Sequence, residues 1–382
     1  SDYWVQLTKS IEDKLSDKLH DELTKSFIDK KISILSRSLK QDIILNTEIN
    51  TENKIHIDGQ LIGELKGLKF IVELTSKTLD TDIKSIKKAA RKGIKEELEK
   101  RTNEIITNQE ISIDANSKII WKGNPIAKLK KGHDYLSPKI EIIADESLEL
   151  ETKLKLEGFL EKWFNNYINE ILGDLINLTK QKVENQYLRA LVFQLYEKNG
   201  VIKRDEIDTI VKLIPSEERK KLWKMGIKIG RYHVYLPKML KPKAVEFRVS
   251  LWKIFYNLAN RHEIPKFGLN FLINKNYEQS FLLLCGFEKF KQYFVRIDIL
   301  EKLFIKILDN SKDRKFTINA EMMNLLGCTK ENFYKLMTYM DYKKDKTVDT
   351  YIFRGEKKKT GKSMRIDKKE NPFKKLLSLN IK

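Results

Sequence analysis

Apolar residues Leu7, Ile11, Leu15, Leu19, Leu23, Phe27, Ile32, Leu35 and Leu39 recur at about the spacing of a helical turn, separated by Lys, Asp, Glu and Ser. A narrow stripe on a polar background predicts a long amphipathic helix, or two joined by a kink, whose stripe must lie against another element. From 47 to 172 the pattern changes to short alternating runs, and those runs repeat. IHIDGQLIGELKG at 55–67 realigns with IIWKGNPIAKLKK at 119–131, an offset of 64 residues. Each copy reads as a strand, a turn at Gly59 or Gly123, and a second strand carrying Ile62 and Leu65 or Ile126 and Leu129. A short strand precedes each copy, around Glu48–Asn50 and Glu110–Ile113, and a polar amphipathic helix follows each, near 82–106 and 149–172. Period-two alternation giving way to period 3.6 predicts two β-meander and helix units in tandem. Trp121 of the second copy aligns with Ile57 of the first, so it reads as a strand residue packed on the helix.

Beyond 180 the spacing is mostly helical. Leu188, Leu191, Val192, Leu195 and Tyr196 form one face of a helix closed by Asn199 and Gly200. Helices are expected at 205–213 and from Pro215 to Met225, then a strongly apolar one from Ala244 to Arg261. Residues 316–354 have the order helix, tight turn, helix, strand: Ala320–Leu326, Gly327, a helix capped by Thr329 and ending near Met340, and the wing-like TYIFR at 350–354. The fold class expected is α+β and multidomain. It comprises an amphipathic helical segment at 1–43, β-meander and helix repeats at 44–107 and 108–178, a helical basic domain at 179–310, a winged-helix-like unit at 311–355 and a basic tail at 356–382.

Composition narrows the class of partner. The 382 residues are 41% hydrophobic and 34% charged, the balance of a folded protein with long polar helices, and the formal charge is +20. That charge is localised: residues 212–253 hold 12 Lys/Arg against Glu217, Glu218 and Glu246, and residues 343–382 hold 14 Lys/Arg against 5 acids. A basic face and a basic tail favour a polyanion. No apolar run reaches membrane-spanning length and no signal peptide is present, so a cytoplasmic location with no membrane partner is expected. Cys285 and Cys328, 43 residues apart, make no zinc set and read as reduced thiols. The chain opens on Ser1, directly in a helical pattern, which leads us to expect a fragment of a longer protein.

The segment GIKIGRYHVYLPKMLKP at 226–242 concentrates the candidate chemistry. Lys228, Arg231, Lys238, Lys241 and Lys243 are suited to phosphates, and Tyr232, His233 and Tyr235 offer rings on which unpaired bases could stack. The same segment reads equally as a buried strand with its two tyrosines packed inward. In the helix-turn-helix, Lys330, Asn332 and Lys335 are expected on the exposed face of the second helix, with Arg354 ending the wing. GEKKKTGKS at 355–363 is similar to a phosphate-binding loop, but five residues stand where that loop needs four between its first glycine and the GK pair. His20, His56, His133, His233 and His262 are scattered, no HExxH or GxSxG is present, and Asp145 and Glu146 read as caps. No catalytic residue, metal or cofactor is therefore expected in this chain.

Several segments resemble one family, the alphaproteobacterial superfamily II helicases related to the mitochondrial degradosome RNA helicase. They are IEDKLSDKLHDELTKSFIDKK at 11–31, KIIWKGNPIAKL at 118–129, GIKIGRYHVYLPKMLKP at 226–242, VRIDILEKL at 295–303, MMNLLGC at 322–328 and the closing NPFKKLLSL. They keep the family's order and span nearly the whole chain. The resemblance implies two RecA-like domains preceding this region, with ATP and Mg held only there. This chain would then be the accessory C-terminal half, its first helix packed on the helical segment after the second RecA-like domain. The family's nucleotide-binding lysine, acidic box and arginine finger have no positions here. Arg231, Tyr232, His233, Tyr235 and the turn at Gly327 match family segments, with no role implied for them. FIDKKISILSRS departs from the family's more arginine-rich pattern, and lysine lacks the bidentate fork of arginine.

The function expected is a nucleic-acid-binding accessory region of an ATP-dependent helicase, partnered by single-stranded nucleic acid, RNA favoured, and by its own motor. The alternatives are a protein-interaction scaffold docking a nuclease or the ribosome, and a DNA-binding regulator built on 316–354.

Overall fold

A computed structural model describes residues 2–40, 47–57, 59–72, 80–108, 110–181, 183–258, 263–273, 277–311, 315–344 and 350–353. The fold is α+β, an N-terminal helix followed by small antiparallel sheets and helices. It divides into two compact units, one of residues 1–173 and 246–261, the other of 174–245 and 262–382.

In the first unit, the amphipathic stripe belongs to a single helix, α1 (Asp2–Lys40). Its apolar side chains Leu7, Ile11, Leu15, Leu19 and Leu23 are exposed rather than packed. The sequence repeat then folds as two four-stranded meanders. The first is β1 (Thr47–Ile49), β2 (Lys54–Ile57), β3 (Gln60–Lys66) and β4 (Lys69–Val72), followed by α2 (Asp80–Asn108). The second is β5 (Ile111–Ile113), β6 (Lys118–Trp121), β7 (Asn124–Asp134) and β8 (Ser137–Ile142), followed by α3 (Leu150–Lys180). Both sheets run in sequence order.

The 64-residue offset holds down to single atoms. Asn50 Oδ1 accepts from the N–H of Glu52 and Lys54, and Asp114 Oδ1 accepts from Asn116 and Lys118. Asn53 (φ 63°) and Ser117 (φ 60°) both turn left-handed. A bulge follows at Ile55/His56 in one copy and at Ile119/Ile120 in the other. The β6–β7 turn places Lys122 (φ 45°) and Gly123 (φ 76°) both at positive φ, the two-residue geometry that matches strand twist, and Gly59 (φ 75°) stands at the matching place. Ile55, Ile57, Ile62 and Leu65 are buried, as are their counterparts Ile119, Trp121, Ile126 and Leu129. Arg101 fastens α2 to its sheet, its guanidinium donating to the carbonyls of Leu65 (3.1 Å) and Gly67 (3.0 Å) and to Glu97 (2.9 Å).

The second unit holds a repeat that the hydrophobic pattern did not reveal. Its first copy is α4 (Gln186–Glu197), β9 (Val201–Lys203), α5 (Arg204–Leu213), α6 (Ser216–Lys224), β10 (Lys228–Ile229) and β11 (His233–Tyr235). After α7 (Pro242–Tyr256) comes a shorter copy, β12 (Phe271–Ile273), α8 (Gln279–Leu284), β13 (Phe287–Phe290) and β14 (Tyr293–Arg296). The third is α9 (Ile297–Asp309), β15 (Lys315–Thr317), α10 (Ala320–Leu326), α11 (Lys330–Tyr339), β16 (Tyr342–Lys344) and β17 (Thr350–Phe353). Each makes a three-stranded antiparallel sheet with its last strand in the middle: β10-β11-β9, β12-β14-β13 and β15-β17-β16. A strand, one or two helices and a returning hairpin give all three a winged-helix-like order.

One local device recurs in every copy. The last helix ends on Met225, Cys285 or Met340, and the next residue is left-handed: Gly226 (φ 80°), Gly286 (φ 87°) or Asp341 (φ 64°). The residue after that, Ile227, Phe287 or Tyr342, is buried, and so is the helical residue three before the cap, Leu222, Leu282 or Met337. A left-handed C′ residue satisfies the last helical carbonyls and turns the chain back onto the hydrophobic face. Pairing keeps step: Lys228 opposite Tyr235, Glu288 opposite Val295, Lys343 opposite Ile352.

Two expectations change accordingly. Residues 179–310, read as helical, contain two complete sheets, and the winged-helix-like unit read at 311–355 starts earlier, at α9. Three-residue strands are too short to show an alternation, whereas their flanking helices show clear periods.

Candidate nucleic-acid interface

The basic aromatic run folds as the β10–β11 hairpin and the turn that leads into α7. Its loop, 230–232, wraps one carboxylate. Glu301, on α9, accepts the backbone N–H of Arg231 (2.6 Å), Tyr232 (2.9 Å) and His233 (2.9 Å). A Cβ on Gly230 would lie 2.2 Å from the Glu301 carboxyl carbon, so only glycine leaves room for this approach. The loop is closed behind by Gly230 N–H donating to His233 O (2.7 Å) and by Arg204, whose N–H donates to Tyr232 O (2.7 Å).

His233 is 1% exposed and sits between two acids. Its Nε2 is 2.7 Å from Glu288 Oε2, and its Nδ1 is 3.7 Å from Glu301 Oε1, an ion-pair rather than a hydrogen-bond distance. Lys203 completes the cluster on Glu288. Burial pulls the imidazole pKa down, but its hydrogen bond with Glu288 and the nearby charge of Glu301 outweigh this and raise it. For Glu288 burial pushes up, and His233 and Lys203 more than reverse it. The first repeat is thereby tied to the second through Glu288 and to the third through Glu301.

The rings expected to stack bases are therefore in the core. Tyr235 is 5% exposed, with burial pushing its hydroxyl up to about 12. Tyr232 meets Phe290 (6.4 Å) and Phe304 (5.9 Å) edge-on, and its hydroxyl lies 3.4 Å from that of Tyr342; burial again raises its pKa. Of the two readings the sequence left open for this segment, the structure has the buried strand, with Tyr235 turned inward on β11 and Tyr232 packed, half-buried, from the loop before it. His233 and Tyr235 present no open face to a base, and Tyr232 is half-buried between Phe290 and Phe304.

The cations divide. Lys228, Lys241 and Lys243 are exposed. Lys238 is exposed but holds Asp174 at 2.9 Å. Arg231 is half-buried, its guanidinium 6.0 Å above the Phe304 ring. Lys241 and Arg296, the latter gripped by Asp298, stand among apolar walls of a 290 Å³ cavity with Phe267 and Leu269. On α11, Lys330 is exposed and Lys335 pairs with Glu331. Asn332 faces inward instead, accepting from the Tyr293 hydroxyl at 3.1 Å. Arg354 and the loop-like 355–363 lie outside the described residues.

Some surface chemistry was not anticipated. Lys330 and Lys344 approach the Tyr334 ring at 5.6 and 5.4 Å, which brings the start of α11 and the hairpin strand β16 to one place. Lys343 is exposed beside them, at the position that Lys228 holds in the first repeat. On α6, Lys220, Lys224 and Trp223 are exposed. The signal that could have exposed the repeat is short: LWKMGIK, LLLCGFE and MTYMDYK share an apolar residue, a cap, a left-handed residue, an apolar residue and a charged one.

Among the described residues no group of His, Cys, Asp and Glu could hold a metal ion, and no helix is long and apolar enough to cross a membrane. Burial raises the Cys328 thiol to about 11, so it stays protonated near neutrality. No protein-family model matches the chain, and no solved structure matches it. An uncharacterised protein of Mycoplasma genitalium, MG148, is 26% identical over 217 residues, an overlap covering 51% of this chain and 52% of that protein. The chain thus spans about half the length of this curated relative.

Proposed function

We propose that this chain binds nucleic acid through lysines carried on the closing helix and hairpin of its winged-helix-like repeats. The observation that carries the reading is the recurrence of one exposed cation. Lys228 and Lys343 occupy the same place in the first and third repeats, while the middle repeat has Glu288 there, turned in upon His233. Lysines held on a rigid hairpin next to a helix suit phosphate binding, which sets affinity and register without reading sequence. The family resemblance supplies the rest of the proposal: an accessory region of an ATP-dependent helicase, with RNA favoured and with ATP and Mg confined to a motor outside these residues.

The test is binding of the purified chain, without ATP, to labelled single-stranded RNA, single-stranded DNA and duplex across a salt series. Affinity should fall steeply with salt, and Lys228→Gln with Lys343→Gln should flatten the slope by about 1.5, at roughly 0.7–0.9 for each phosphate no longer neutralised. Absence of binding to all three at low salt sinks the proposal. A second reading, a scaffold for a protein partner, is favoured by the exposed stripe Leu7, Ile11, Leu15, Leu19 and Leu23 of α1. It requires partner capture that survives high salt.

A further inference from the structure

The burial of His233 and Tyr235, and the packing of Tyr232 against Phe290 and Phe304, leave open where a base could stack. Trp223, on α6, is 74% exposed. A lone exposed aromatic needs no explanation by itself. This one has cations beside it: Lys220, one turn before, is its neighbour and that of Lys224, so the three occupy an arc of about 100° on one side of the helix. Both lysines are exposed and, among the described residues, neither is paired with a carboxylate, whereas Lys221 is held by Glu218 at 2.7 Å. The acid on that side is Glu217, in the first helical turn, where it complements the helix dipole. Other exposed rings of the second unit, Phe193 and Phe267, have no such pair of cations on their own element.

The platform is also fixed in place. Leu222, the neighbour of Trp223, is fully buried and holds the opposite side of α6 to the core. Arg219 donates to the carbonyls of Ile214 (3.1 Å) and Val211 (3.2 Å), locking the start of α6 onto the end of α5. An indole held on a rigid helix beside two ammonium groups has the makings of a stacking platform. Its ring takes a base of any identity and its lysines take the flanking phosphates.

We infer that the α6 face formed by Lys220, Trp223 and Lys224 is the docking face for single-stranded nucleic acid, with an unpaired base stacked on Trp223. This rests on the proposed nucleic-acid reading and specifies its substrate as unpaired strands. A protein partner using Trp223 as an anchor is the competing occupant, and the lysines count against it, since lysine is depleted at protein interfaces.

The experiment compares the full chain with Trp223→Ala, Trp223→Phe and the pair Lys220→Gln/Lys224→Gln. Each is titrated with a labelled 15-mer of deoxythymidine and with a 15-bp duplex. Because Trp223 is exposed, the thermal midpoint should not move, which checks folding. Trp223→Ala should weaken single-strand binding about ten-fold while leaving the salt slope unchanged, and Trp223→Phe should restore most of it. The lysine pair should lower the slope by about 1.4. If Trp223→Ala binds the single strand as the unaltered chain does, the stacking inference falls while nucleic-acid binding stands. An equal loss on duplex overturns stacking in favour of a groove-bound mode. No binding of the unaltered chain to either probe, or to a 15-mer of uridine, removes both.

Discussion

Asp341 stands where the other two repeats have Gly226 and Gly286, and it adopts the same left-handed backbone. A side chain in that region costs about 1 kcal/mol, less for Asp than for most residues. Asp341→Gly should therefore raise stability by up to about 1 kcal/mol, and Gly226→Ala should lower it by about 1 kcal/mol. Gly226 has room for the methyl, its nearest neighbour being 3.5 Å away, so the second effect is conformational rather than steric. Urea midpoints of the two variants check both signs. His233 offers a pH-dependent counterpart. Its pKa is raised above the ordinary 6.5, so the stability it contributes is complete below that value and is lost as pH climbs through the folded pKa. Glu288 is lowered from 4.5, so its share is complete above that value and is lost as pH falls through its folded pKa. The cluster with Lys203 and Glu301 should stabilise the fold most in the mildly acidic window between the two. His233→Gln should cost about 3 kcal/mol there, the penalty for leaving buried acids short of a partner, and should abolish the decline above neutrality. A variant whose urea midpoint keeps the original pH profile would show that the decline arises elsewhere.

At the scale of elements, the sequence was most legible where a period ran long enough to count. The 64-residue repeat was visible because two strands of each copy alternate over a dozen residues; its first helix fell close to its expected bounds, and the second starts where expected but continues past a kink at Leu172 to Lys180. The helix from Leu188 and the pair around Gly327 were legible for the same reason, with Asn199 and Thr329 marking their ends. The second repeat escaped because its sheets are built from strands of two to four residues, in which a hydrophobic period cannot be established. The candidate site failed differently. Tyr232, His233 and Tyr235 look alike in sequence whether they face a base or a core, and what decides the matter is a carboxylate 68 to 70 residues later, Glu301. No local pattern announces such a partner. Nothing local marks Trp223 as exposed either, since only the helix's orientation decides that Leu222 takes the buried side.

At the scale of the whole second unit, the packing links copies out of order. Tyr232 and the loop of the first repeat pack on α9 and Tyr342 of the third. Repeat proteins in which each copy touches only its neighbours open and close piecemeal. Here the first hairpin and the third repeat should instead open as one body. Native-state hydrogen exchange should assign the amides of β10–β11 and of α9 to α11 a common opening free energy, and Glu301→Ala should lower it in both places together. Exchange that quickens in the hairpin alone would show the copies to be independent.

The grip of Glu301 on three backbone N–H groups also bears on the ancestry of the array. A chain of interchangeable modules can grow or shrink by duplication, since any copy accepts any neighbour. In this unit a duplicate inserted between first and third would carry the acid away from the loop it fills and strand buried amide groups without acceptors. A further copy would therefore have to preserve this clasp, whereas the exposed faces of α6, α11 and the hairpins can be substituted without touching it.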